Sequence, residues 1–186
     1  MEKFLEFLKF EGCKYEIKDG AVIVLNGFSP SEAPFDNIVI PENTYFSGGL
    51  NLKFYNGKIQ LPENHFKVDY SFSPHLNTER LPSNLTLGDN CSVFFGNDKS
   101  KIKNVTYSKN CGYWGRTIFA FWANNDFLIS SGCFTGTYSE FEGRIKTARY
   151  YSEAGATEYK RKVRGCISRL AKKLGKPNPF KTATAN

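Results

Sequence analysis

The residues able to do chemistry are few and scattered. Five cysteines stand at 13, 91, 111, 133 and 166, two histidines at 65 and 75, and the carboxylates Asp69, Asp89 and Asp126 occupy the middle of the chain. Metal or disulfide chemistry asks for closely spaced pairs of ligands, yet no two cysteines form a Cys-x-x-Cys pair and their number is odd. The spacings 91 to 111 to 133, which are 20 and 22 residues, follow a period that runs through the middle of the chain. Cys91, Cys111 and Cys133 are therefore expected to be small core residues stacked coil on coil, in a reducing compartment. His65 and His75 have no serine nucleophile motif nearby and lack the His-x-Thr/Ser pattern of a two-histidine phosphodiesterase, so surface or corner positions are expected for them. The carboxylates do not cluster in sequence, and Gly132 to Gly136 reads as a junction turn, not as a phosphate loop. The expectation is a protein that is not an enzyme and holds no metal or cofactor.

Charge carries more information. The 186 residues include 25 Lys+Arg and 18 Asp+Glu, a net +7. Residues 1–130 hold 13 basic and 14 acidic side chains, whereas residues 131–186 hold 12 against 4. The positive charge belongs to the C-terminal end, where an acidic partner is to be sought. Candidate partner-binding residues are Arg144, Lys146 and Arg149 on and after one expected helix, and Lys160, Arg161, Lys162, Arg164, Arg169, Lys172 and Lys173 on the outer faces of a second. Tyr150 and Tyr151 lie between them and join the set. A host protein is the expected partner, with nucleic acid as the alternative; five phosphate contacts on duplex DNA would give a log–log salt slope of about −4.5. A solvated basic helix face is the plainer reading of the same residues. Aromatic residues are abundant, with 17 Phe, 10 Tyr and 2 Trp. Most, with Tyr113, Trp114, Phe119, Phe121 and Trp122 read as lying in the last coils, are expected in the core, and any exposed near the basic helices would stack on bases or form a protein hot spot.

The elements that must position these residues are read from a repeat. Prolines at 41, 62 and 82 are spaced 21 and 20 residues apart, and each sits in the same tetrad: Ile40-Pro41-Glu42-Asn43, Leu61-Pro62-Glu63-Asn64, Leu81-Pro82-Ser83-Asn84. A period near 20 implies stacked coils, with a degenerate fourth copy at Ile102-Lys103-Asn104-Val105. Position eleven of the four copies reads Leu50, Ser71, Cys91 and Gly112. Proline cannot donate to a ladder, so it marks a corner. Leu50, Leu52 and Phe54 alternate onto one strand face, as do Cys91, Val93 and Phe95. Gly48, Gly49, Gly57, Gly88 and Gly96 are expected at bends with positive φ.

Ile118–Trp122 and Phe127–Ile129 are strand candidates. At the N-terminus, residues 2–10 read as a helix carrying Phe4, Leu5 and Leu8, followed by a hairpin turning at Asp19-Gly20. At the other end Thr137-Tyr138-Ser139-Glu140 is a capping box that opens a helix with Tyr138, Phe141, Ile145 and Ala148 on one face. A second helix runs from about Thr157 to Leu174 and stops at Gly175 and Pro177, leaving Phe180–Asn186 as a frayed tail.

The fold class expected is α+β: one domain forming an irregular, β-rich, leucine-rich-repeat-like solenoid of four to five coils. Residues 1–37 form an α/β-hairpin cap, 38–134 the coils, 135–176 a two-helix cap and 177–186 a tail. Apolar residues make up 40% of the chain, enough for a core without disulfides. No apolar run has membrane-spanning length, and the N-terminal residues do not read as a signal peptide, so a soluble cytoplasmic protein is expected.

Two segments carry a family resemblance. Ile40-Pro41-Glu42-Asn43 followed by Ser47-Gly48-Gly49-Leu50-Asn51-Leu52 resembles the coils of short leucine-rich-like solenoid proteins encoded by tailed bacteriophages and prophages. Gly132-Cys133-Phe134-Thr135-Gly136-Thr137-Tyr138-Ser139-Glu140-Phe141 is similar to the junction that leads those coils into a two-helix C-terminal cap. The likeness covers about residues 38–174; Leu61–Arg80 lacks the Gly-Gly pair and the later coils are worn. It implies a solenoid of phage origin working in the host cytoplasm and transfers no catalytic residue. Bacterial effectors with similar coils bind proteins, which by fold-level analogy alone implies a protein partner; inhibition of a host enzyme or an anti-phage defence factor is the expected role.

Overall fold

Phe4, Phe7 and Leu8 fall on one face of helix α1 (Glu2–Phe10) and are buried there. The chain then turns into an antiparallel hairpin of β1 (Tyr15–Lys18) and β2 (Ala21–Val24). Asp19 and Gly20 supply φ values of 50° and 77°, the pair of left-handed residues that a two-residue hairpin turn needs. The computed structural model describes residues 1–32, 37–96 and 102–181. Its contacts divide them into two units, Met1–Lys103 with Ala123–Asn125, and Asn104–Trp122 with Asp126–Asn186.

In the first unit the hairpin leads into a β-solenoid of about three turns. The first coil has β3 (Asn37–Val39), β4 (Thr44–Phe46) and β5 (Leu50–Asn51). The second has β6 (Lys58–Gln60), β7 (His65–Val68) and β8 (Ser71–Ser73), and the third β9 (Asn84–Leu87) and β10 (Ser92–Val93). Parallel ladders join β2 to β4, β7 and β9 on one face, β5 to β8 and β10 on another, and β3 to β6 on a third. Asn124 continues the first ladder: its N–H donates to the Leu85 carbonyl at 3.0 Å, and its side-chain oxygen accepts from Leu87 N–H at 2.7 Å.

The Pro-Glu-Asn tetrads are the corners, and their chemistry explains their recurrence. The Glu42 carboxylate accepts from the backbone N–H groups of Glu63, Asn64 and His65 at 2.8, 3.1 and 2.9 Å, so one corner holds the next. Slight desolvation would raise the Glu42 carboxyl, but these three amides outweigh it and hold the group below its ordinary value. Asn43 takes the left-handed turn at φ 58°, and Ser83 Oγ donates to Asn64 Oδ1 at 2.8 Å in the corner above.

Inside the coils, bulk comes from phenyl rings. Phe7 meets Phe28 at 5.4 Å between centroids, Phe28 meets Phe46 at 5.8 Å, Phe46 meets Phe66 at 5.8 Å and Phe66 meets Phe72 at 5.9 Å. This continuous stack ties α1 to all of the first two coils. Each buried ring contributes about 2 kcal/mol by transfer from water, with further gain from the edge-to-face pairs.

Several expectations are corrected. The ladder pairs Leu50 with Phe72 and Phe72 with Val93, one and two residues beyond the Ser71 and Cys91 of the tetrad alignment. The left-handed residues Tyr70 and Asn90 let the bends vary in length until an apolar side chain faces inward. Phe54 is 65% exposed, because the strand ends at Asn51 and the chain turns to bury Tyr55 instead. Gly48, Gly49 and Gly88 do not take positive φ. Gly48, Gly49 and Gly88 are needed for space: a Cβ would come within 2.5 Å of Gly27 N, 2.5 Å of Ser71 Oγ and 2.1 Å of Asp69 Oδ1 respectively. His75 is buried, with Nε2 donating to Tyr55 O at 3.0 Å and Nδ1 accepting from Asn77 N–H at 3.2 Å.

The coils do not extend to residue 134. Lys103 N–H still reaches Glu79 O at 2.7 Å, but the fourth copy goes no further. From Val105 the second unit builds a four-stranded sheet in the order β11 (Val105–Cys111), β12 (Arg116–Ala123), β13 (Asp126–Ser131) and β14 (Phe134–Thr137), with β11/β12 and β13/β14 antiparallel. Cys91, Cys111 and Cys133 therefore do not stack. Cys111 ends β11 and is buried with Ile118 and Val163, while Cys133 is exposed in the β13–β14 turn. The cause is a change of connection: from Val105 the chain runs back and forth in antiparallel strands joined by short turns, so a spacing of about 20 residues no longer returns a side chain to the same place in a stack.

Thr137 caps helix α2 (Tyr138–Thr147) with both hydrogen bonds of a capping box. Helix α3 (Glu153–Leu174) begins four residues before Thr157, because Ser152 accepts from Gly155 N–H at 3.1 Å and starts it there. Gly175 ends it at φ 65°. Tyr159, Val163, Cys166, Ile167 and Leu170 pack with Ile118, Phe127 and Phe141 to form the core of this unit. Ala148 is the non-helical C-cap of α2 and is only half-buried. Phe180 is not frayed: it packs edge-on against Tyr138 at 4.9 Å. Residues 182–186 of the expected tail lie outside the described residues.

Phe46→Ala is expected to cost about 3–5 kcal/mol in urea denaturation, and Phe46→Leu clearly less, because Leu refills part of the void. Glu42→Ala is expected to cost about 1 kcal/mol at pH 7. The Glu42 carboxyl is depressed in the folded state, so its stabilisation is present above the unfolded pKa and is lost as pH falls through the folded one. The difference between wild type and Glu42→Ala should accordingly shrink in denaturation curves taken below about pH 4.

Candidate functional site

The basic face of α3 divides into three parts. Strand β11 is an edge strand, and its outward carbonyls would face solvent unpaired. Lys162 donates to Asn110 O at 2.7 Å, Arg169 to Tyr107 O at 2.9 Å and Lys173 to Val105 O at 3.3 Å. Thr106 Oγ1 adds a hydrogen bond to Cys166 O at 2.8 Å. These cations cover a sheet edge, although a carbonyl does not neutralise them and their field persists.

A second part is locally paired. Lys160 reaches Glu142 at 3.3 Å, and Arg161 holds both oxygens of Glu158 at 2.7 and 2.8 Å. Arg164 donates to Tyr138 OH at 2.8 Å and lies over the rings of Tyr138 and Phe180. The third part is free: the side chains of Lys146, Arg149 and Lys172 are exposed and make no hydrogen bond or ion pair among the described residues.

Arg144, Tyr150 and Tyr151 belong to a different feature, a chain of rings that runs from the core of this unit to its surface. Phe141 meets Tyr159 at 4.8 Å, Tyr159 meets Tyr151 at 5.8 Å, and Tyr151 meets Tyr150 at 4.7 Å. Tyr150 meets Tyr113 at 6.0 Å, and Tyr113 meets Trp114 at 4.9 Å. The inner rings are buried or half-buried, whereas Tyr150, Tyr113 and Trp114 are 55%, 64% and 65% exposed. Tyr113 and Trp114 project from the β11–β12 turn, which Gly112 and Gly115 shape with φ values of 66° and 60°. At Gly112 a Cβ would also come within 2.7 Å of the Tyr159 ring. Burial pushes the Tyr159 hydroxyl up to about 12, while its bond to Ser131, 3.0 Å long, acts the other way.

Beside these rings is a hollow of 190 Å³ whose lining includes Trp114, Arg116, Cys133, Phe134, Arg144 and Tyr151. No Asp or Glu lines it. Arg144 lies over the Phe134 ring at 4.8 Å. Arg116 passes Gly132 so closely that a Cβ there would be 2.5 Å from Nη1. Arg116 and Phe134 are functional candidates that sequence reasoning missed, and Tyr113 and Trp114, expected with the core aromatics, are exposed instead. The available signal was two large aromatic residues between glycines in a turn joining two strands, where nothing in the pattern can bury them.

The first unit has a larger hollow of 810 Å³ between β6 and residues 77–81. Its charges are mixed in sign, and Glu79 and Lys103 pair across 2.8 Å within it. The thiols elsewhere are unsuited to nucleophilic work: burial raises Cys91 to about 12 and Cys166 to about 11. Among the described residues, no group of His, Cys, Asp and Glu could hold a metal, and no helix is long and apolar enough to cross a membrane. Comparison with known proteins finds no matching family, no matching curated protein and no matching solved structure.

If Arg169 and Lys173 cover the β11 edge, replacing both by Ala will destabilise the protein by about 1–2 kcal/mol in thermal or urea unfolding. Removing the exposed Lys146 and Lys172 in the same way will leave stability within about 0.5 kcal/mol of wild type.

Proposed function

We propose that this is a non-catalytic interaction protein that engages a protein partner through Tyr113, Trp114 and Tyr150, with Arg116 and Arg144 beside them. The observation that carries this reading is the ring chain, because its exposed end is braced by buried rings. Exposed Trp, Tyr and Arg are the side chains that dominate protein-binding energetics, and a surface already held rigid loses little entropy when it is covered. The positive field of α3 would speed encounter with an acidic partner.

Taken with the likeness of the first coil to the leucine-rich-like solenoids of tailed phages, the partner is read as a host protein in the host cytoplasm. Occlusion of a host enzyme or defence factor is the consequence that fits a rigid, non-catalytic binder. The free cations Lys146 and Arg149 next to Tyr150 favour a second reading, in which the same rings stack on the bases of a nucleic acid.

Affinity capture from host cells with the intact protein tests both readings. One stoichiometric protein partner is expected. Trp114→Ala and Tyr150→Ala should each weaken its binding by roughly 30-fold in surface plasmon resonance. The charge reversals Arg161→Glu, Lys162→Glu and Arg164→Glu should act mainly on the association rate and its salt dependence. Recovery of nucleic acid alone, with a steep salt dependence, would reverse the order of the two readings.

A further inference from the structure

We infer that the hollow between Arg116 and Arg144 is a seat for one oxyanion, a carboxylate or phosphate, carried next to an aromatic side chain on an acidic segment of the protein partner. This rests on the reading of the ring face as a protein-binding surface and gives that surface its chemical selectivity.

Arg116 and Arg144 both line one small hollow, and among the described residues neither is paired with a carboxylate. Apart from Lys172, the basic side chains of α3 find a carboxylate, a carbonyl or a tyrosine hydroxyl. Arg116 and Arg144 are instead exposed at one hollow with aromatic side chains beside them, so an anion on a partner can reach both. The guanidinium fork takes a carboxylate or phosphate through two parallel N–H donors, so two forks can saturate one oxyanion.

Size argues against a free metabolite. Sites for small molecules usually enclose about 300–1,000 Å³. The 190 Å³ found here suits a single anchoring group from a larger molecule. The neighbouring Tyr113, Trp114 and Tyr150 then offer ring faces for the residue next to the anion. Gly132 has φ 61° and no side chain, which leaves Arg116 its path along the rim. A nucleic acid would need a continuous track of free cations, whereas Lys160 and Arg161 are neutralised and Lys162, Arg169 and Lys173 are bound to carbonyls.

Cys133 supplies a readout, being an exposed thiol on the wall of the hollow. Its alkylation by a maleimide would be followed by mass mapping in the intact protein. The probes are the capped peptide Glu-Tyr-Glu, its amide counterpart Gln-Tyr-Gln, inorganic phosphate and a ten-residue oligothymidylate. At about ten times its Kd, a bound probe slows modification roughly tenfold. The acidic peptide should do so, the amide peptide should not, and phosphate should compete with the acidic one.

Arg116→Met with Arg144→Met should abolish the protection, and Arg116→Lys with Arg144→Lys should leave a partial effect, all with unchanged melting curves. Equal protection by both peptides, protection that survives the double Met substitution, or no protection at millimolar peptide would overturn the proposal. Stronger protection by the oligothymidylate would overturn it in favour of nucleic acid. If the double Met variant binds the captured partner normally while Trp114→Ala does not, the oxyanion seat is wrong but the ring surface stands. If neither change affects that partner, both are wrong.

Discussion

A coil of about twenty residues has too little interior to bury its own apolar side chains, so every coil in the first unit depends on the coil before and after it. That dependence is met by rings. Phe28, Phe46 and Phe66 lie one above another, Phe7 joins them from α1 and Phe72 from the next face. Large flat side chains tolerate the uneven coil lengths seen here, with Thr44 paired to Phe66 but Phe66 to Leu85. Steps of different length can still present a ring to a ring. The corners complete the stack in polar chemistry, since the Glu42 carboxylate binds three amides of the next corner.

The second unit meets a different constraint. An antiparallel sheet ends in edges, and an edge of free carbonyls invites association with other strands. Helix α3 answers this with the same residues that make the C-terminus basic, so Lys162, Arg169 and Lys173 have a structural task as well as a field. On this unit the rings behave differently from those of the coils. They begin in the core at Phe141 and Tyr159 and emerge at Tyr113, Trp114 and Tyr150, so the exposed residues inherit the rigidity of the buried ones. Sheet protection and the exposed ring surface thus draw on separate side chains, which allows them to be tested separately.

Local signals made part of this legible before any coordinates. The Asp19-Gly20 turn, the Thr137–Glu140 capping box, the Gly175 stop and the strands around Ile118–Trp122 and Phe127–Ile129 depend on residues close in sequence, and all are present. The proline period correctly announced stacked coils. It misled where it was extended, because the spacing from Cys91 to Cys111 to Cys133 is arithmetically regular but passes from parallel coils into an antiparallel sheet. The site was less legible. Arg144, Tyr150 and Tyr151 were found through charge and composition, while Arg116, Trp114 and Phe134 come from other segments and meet them only in space.

What the sequence determined by itself is therefore everything governed by neighbours along the chain: caps, turns, the alternation of strands, the coil period and the location of excess charge. Only the tertiary structure decided how far the coils run, which cations face carbonyls and which remain free, and that two arginines from different segments share one hollow. The physical reason is that these outcomes depend on the pairing of distant segments. Period and composition constrain what a segment offers for pairing, but the partner that satisfies it is chosen by packing.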